Sequence, residues 1–156
     1  MDKVNTIITW IESNNPITIE DQETYNGISN YINESVTSSY ESDTPKLYAD
    51  KVANVYYSVT FSDTNNQYGM NLKKQSSNAM VEILTGMSSK FPTNDDIKSE
   101  IEFWKLAEEH SDKEISYYTY LDNKDFGKAD SCMMVMETLL DKMRSVSQKQ
   151  DQSHSK

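Results

Sequence analysis

The sequence predicts a mostly α-helical protein, a compact bundle of about six or seven short helices, with strands as the alternative over 54–61 and 115–121. Three observations point there. Apolar residues recur at steps of three and four along most of the chain, the period of a half-buried helix. Only four glycines and three prolines interrupt 156 residues. The run Ser111-Asp112-Lys113-Glu114 has the pattern of a capping box, in which a serine oxygen and a glutamate three residues later satisfy free amides at a helix start.

The elements follow in order. Val4, Ile7, Ile8 and Ile11 form one stripe over 2–13, with Trp10 at its edge. Pro16 ends that helix, because the residue before proline avoids helical angles. Thr18 offers the next N-cap, with Asp21 at the third helical position. Tyr25, Ile28, Tyr31, Ile32 and Val36 continue the helix, although Gly27 costs it about 1 kcal/mol of propensity. Residues 37–45 read as a loop.

Residues 46–61 support two readings. Tyr48, Val52, Val55 and Val59 make a helical stripe; Val55, Tyr57, Val59 and Phe61 alternate as a strand does. The helical neighbours favour the helix. A second loop follows at 62–69, then a helix at 77–89 with Met80, Ile83, Leu84 and Met87 inward, stopped by Phe91-Pro92. Thr93 caps a helix at 94–110 that turns Ile97, Ile101, Trp104 and Phe103 inward. The capping box predicts a separate helix at 112–121, with Ile115, Tyr118 and Leu121 inward. Residues 122–127 form a turn. Ala129, Cys132, Met133, Met136, Leu139, Leu140 and Met143 give 128–146 a wide apolar face. Residues 1–146 therefore read as a single helical domain and 147–156 as a disordered C-terminal tail.

Composition narrows the function. Net charge is −10, from 25 acids and 15 bases. Such a chain is repelled by nucleic-acid backbones and anionic lipid. Arg144 is the only arginine, and arginine is the usual reader of guanine and phosphate, so direct nucleic-acid binding is not expected. No apolar run approaches the roughly 20 residues of a membrane span. Met1-Asp2-Lys3-Val4 does not open a signal peptide, which points to the cytoplasm. Cys132, alone and on an apolar face, reads as core.

Catalytic chemistry finds little support. Of two histidines, His154 lies in the tail, and His110 is placed at a helix C-terminus, where the dipole alone favours it. Loops starting at Asp63 and Asp122 lack the acid that calcium needs at the twelfth position, having Lys74 and Met133 there. Asp125-Phe126-Gly127 matches a kinase triplet, but no glycine-rich or catalytic loop accompanies it. No catalytic residue, cofactor or metal is expected.

What stands out is charge. Residues 95–114 carry eight acids and three lysines, half of the chain's net charge. An acidic stretch beside tyrosines suits a contact surface. Glu100, Glu102, Glu108, Glu109, Tyr117 and Tyr120 are the expected partner-binding residues. The chain reads as a non-catalytic protein-binding module, a small acidic adaptor, inhibitor or regulator, with a size and helix count shared by host-modulating proteins of viruses and phages. Its partner would be another protein with a basic or apolar surface. Two alternatives stand beside this: an acidic nucleic-acid mimic that inhibits a DNA- or RNA-binding protein, and an assembly protein that self-associates through helix 128–146.

Overall fold

The computed structural model describes residues 3–59, 67–90 and 95–154. Among them six helices form a compact bundle: α1 (Lys3–Glu12), α2 (Gln22–Glu41), α3 (Pro45–Ser58), α4 (Gln67–Lys90), α5 (Asp95–Asp122) and α6 (Phe126–His154). The helical reading is the one the structure shows over 46–58 and over 115–121. No strand forms among the described residues; a single bridge pairs Ile17 with Val59. The last three helices are long, at 24, 28 and 29 residues, where the sequence suggested short ones.

Several boundaries differ, each for a local reason. The N-cap of α2 is Asp21 rather than Thr18; its carboxylate accepts a hydrogen bond from the Thr24 amide at 2.8 Å. Ile17 and Ile19 are buried ahead of it in extended chain. The Ile17 amide donates to Ser58 O at 2.8 Å, so the segment is tied to the end of α3. The expected loop at 37–45 shrinks to 42–44 because Ser39 sits buried in α2 and donates to Val36 O. α4 begins ten residues before the expected 77. Gly69, Met70 and Leu72 in that extension are buried. The proposed cap at Thr93, the helix stop at Phe91-Pro92 and the end of the 46–61 segment at Phe61 lie outside the described residues.

The capping box is the largest correction. Ser111–Glu114 starts nothing, and α5 passes through it unbroken. No glycine or proline stops the preceding helix, and Ser111 is buried at a register that continues the Ile97, Trp104 and Ala107 stripe. α6 likewise continues through 147–154, where a disordered tail was expected. That run holds no breaker, and Val146, just before it, is buried. α1 and α5 both end with a residue at positive φ, Asn14 and Lys124, and paired back-bonds to Trp10 O and Ile11 O, or Tyr120 O and Leu121 O.

α4 is the axis of the packing. It touches α2, α3 and α5, and Leu72, Ser76, Ser77, Ile83 and Leu84 are nearly inaccessible to water. α5 lies between α4 and α6, and among the described helices α6 packs on α5 alone. The buried residues of α6, Ala129, Cys132, Met136, Leu139, Met143 and Val146, repeat at three and four residues, a coiled-coil seam. Met134 and Val135 face outward at 69% and 40% exposure, so this helix is not covered on a second side.

Gly27 has a packing role. A Cβ there would overlap the methyl groups of Val4, so α1 crosses α2 too closely for a larger residue to enter without a shift. Alanine has the better helix propensity by about 1 kcal/mol, but overpacking costs about 1–3 kcal/mol. Gly27→Ala should therefore lower the unfolding free energy, measured by denaturant titration, and Val4→Ala should restore part of it in the double variant.

Asp21 predicts a pH dependence. The Lys3 ammonium and the Thr24 amide hold its carboxyl down at about 2, from an ordinary 3.8. A depressed acid stabilises the fold above its unfolded value and loses that contribution as pH falls through the folded one. Stability should decline between pH 3.8 and about 2, and Asp21→Asn, which can still cap the helix, should flatten that part of the pH profile.

Candidate functional site

α3 and α5 both lie on α4 but make no close backbone approach to each other. The gap between them is a cleft of about 560 Å³. Met80, Leu84 and Met87 of α4, at steps of four and three, form its floor. Ala49 and Ala53 of α3, and Ile97, Phe103 and Trp104 of α5, form its apolar sides, and Ser147 of α6 also lines it. The small side chains at 49 and 53 keep the groove open. Along α3 the lining runs from Lys46 to Tyr57, about 16 Å or three helical turns.

Aromatic rings stiffen one end. The Trp104 ring meets Tyr56 at 5.0 Å, Phe103 at 5.2 Å and Tyr57 at 5.9 Å, all edge to face. Trp104 is buried, whereas Tyr57 stays 62% exposed, a large apolar ring held on the cleft's lip.

Charge marks the rim, with Lys46 and Asp50 on α3 and Asp96 and Glu100 on α5. Lys46 pairs with Asp50 at 3.4 Å. Partial withdrawal from water raises the Glu100 carboxyl above the usual carboxylate range; Lys46 opposes this, and Asp96 and Asp50 add to it. Loss of water, then Glu100, raises the Tyr57 hydroxyl.

A second cluster lies at the C-terminal end of α3. Lys73 of α4 donates to Tyr56 O at 2.9 Å, and its ammonium lies 4.3 Å from the centre of the Tyr56 ring. The Val59 amide takes Val55 O and the Ile17 amide takes Ser58 O, so three of the carbonyls at this helix end are satisfied by different partners. His110 and Glu114 of α5 face Lys73. Burial lowers the Lys73 ammonium and raises the Glu114 carboxyl, and each partly offsets the other. His110 is therefore not at a helix terminus but in the middle of α5. Burial, and then Lys73, lower its imidazole from the ordinary histidine value. Tyr56 is pushed up to about 12, first by burial. This cluster fastens α3 to α4 and α5.

The six expected contact residues do not share a face. Glu100 lines the cleft. Glu108 accepts a hydrogen bond from Asn78 of α4 at 3.0 Å, beside the Lys74–Asp112 pair at 2.9 Å. Glu102 and Glu109 are exposed on the outer side of α5, where Lys98, Lys105 and Lys113 interleave with them at three- and four-residue steps. Tyr117 packs edge to face on Tyr118 at 5.1 Å, and Lys128 of α6 lies 5.7 Å from the Tyr120 ring. The stripe offered as an assembly seam lies against α5 within the chain.

Sequence reasoning missed Lys46, Ala53, Tyr57 and Asp96 as neighbours. The one local signal for the first three is the spacing of 46, 49, 50, 53 and 57 along one side of a helix whose other side is valine-rich. Among the described residues no group of three or more His, Cys, Asp or Glu is placed to hold a metal ion, and no helix is long and apolar enough to cross a membrane. No protein-family model, curated protein or solved structure matches this chain.

The Lys73 cluster makes a spectroscopic prediction. In NMR titration the His110 ring should show its midpoint below 6.5, and Lys73→Met should move it upward by removing a nearby cation. The same variant should cost about 1–2 kcal/mol of stability through the lost charge-assisted bond to Tyr56 O.

Proposed function

We propose that this chain is a non-catalytic protein-binding module that takes an apolar segment of another protein into the cleft between α3 and α5. The observation that carries this is the groove itself. Its floor and sides are apolar, its rim carries charge, and a large ring, Tyr57, is left mostly in water on its lip. Leaving such a ring exposed gains the folded chain nothing, whereas aromatic side chains at a groove edge are frequent anchors of binding. Recognition of a partner helix by an apolar groove between helices uses the same packing as a bundle core.

This reading moves the contact surface from the outer acids of α5 to the cleft and retains Glu100. The nucleic-acid mimic has less support, because lysines break the acidic run on the exposed side of α5.

A photo-crosslinking residue at Tyr57, compared with one at Met134 on the outer side of α6, should capture a partner selectively. With that partner purified, Ala53→Phe fills the groove and should weaken binding by roughly tenfold or more, about 1.4 kcal/mol. Met134→Lys should leave it unchanged. Binding that survives Ala53→Phe, with the fold intact by circular dichroism, and is lost on changing α6 would refute the cleft as the site.

A further inference from the structure

We propose that the occupant of this cleft is a basic amphipathic helix, its apolar face against the half-buried Ala53, Met87 and Phe103 and a lysine or arginine lying along Tyr57 toward Glu100. This rests on the reading of the cleft as a protein-binding groove and adds the chemistry of the partner.

Charge complementarity argues for it. The one ammonium on the rim, Lys46, already pairs with Asp50. Asp96 and Glu100 lie one turn apart on α5, the spacing at which like charges repel. Among the described residues no lysine or arginine forms an ion pair with Glu100. An acidic occupant would add to this repulsion, and a neutral one would take water from the carboxylates without replacing it. A cationic side chain relieves both.

Shape argues for a helix. The groove is open along its top, about three turns long, and bounded by helices on either side and below. A partner helix completes that packing, whereas an extended peptide would find no strand edge to pair with among the described residues. The exposed ring at Tyr57 supplies a face on which an ammonium or guanidinium can lie while its stem covers apolar surface.

Two synthetic amphipathic helices of about five turns test this, with one leucine stripe in common and flanking residues that are all lysine in one and all glutamate in the other. Binding is read by fluorescence anisotropy. The lysine peptide should bind at least roughly tenfold more tightly than its glutamate counterpart and weaken as salt rises. Glu100→Gln should reduce its affinity roughly threefold to tenfold, whereas Glu102→Gln, the same charge change on the outer side of α5, should not. Tyr57→Ala should weaken the lysine peptide without unfolding the chain, since that ring is mostly exposed. Equal binding of the two peptides, both blocked by Ala53→Phe, would overturn the basic partner but leave the groove standing. Binding of the lysine peptide that ignores Ala53→Phe, or falls equally with Glu100→Gln and Glu102→Gln, would overturn both, as attraction to net charge alone. Failure of both peptides to bind would also overturn this proposal.

Discussion

The burial of α4 on several sides is the constraint on which the rest of the fold depends. With only 36% hydrophobic residues, the chain cannot surround its central helix with large apolar side chains. It uses small ones. Ser76 and Ser77 are fully buried, and their hydroxyls donate to Leu72 O and Lys73 O one turn back, at 2.7 and 2.9 Å. Each removes its own polar penalty locally and asks nothing of the facing helix. Neighbouring helices can then approach closely, and α2, α3 and α5 all do. Ser35 and Ser39 do the same on α2.

That arrangement produces the cleft as a by-product of geometry. Two helices laid on a third meet each other only if their side chains span the gap. Here Tyr56, Tyr57 and Trp104 span it at one end, and Ala49 and Ala53 fail to span it along the rest. Lys73 then fixes the end of α3 by taking the Tyr56 carbonyl, which holds the ring pair and the lip of the groove in place. Fold and site therefore share residues: Trp104 belongs both to the core and to the groove wall. α6 adds a layer to α5 and reaches the cleft only through Ser147.

The periodic helices were legible because helical burial leaves a local record. Ile7 and Ile11, Ile28 and Ile32, Val52 and Val55, Met80 and Leu84, and Ala129, Cys132, Met136, Leu139 and Met143 are buried as their spacing predicts. Boundaries were harder to read. A capping box is a set of side chains that can cap if the chain turns there, and at Ser111 the chain has no reason to turn. The same four residues, inside a helix packed on both α4 and α6, become one more stretch of it. The acidic stretch shows a similar limit. Its charge density is a property of sequence, but the angular position of each acid on one long helix decides whether it faces α4, the cleft or water. Reading a break at 111 hid that register.

By itself the sequence determined the helical class, the inward stripes, the net charge and the lone cysteine's place in the apolar seam, because each depends on residues within a few positions of one another. Only the tertiary structure decided that Asp50 and Tyr57 stand across a groove from Glu100, that Lys73 reaches the end of α3, and that Val4 crosses Gly27 too closely for a larger residue to enter without a shift. Those relations join residues far apart in the chain. They arise from the angles at which whole helices pack, which no local pattern of side chains records.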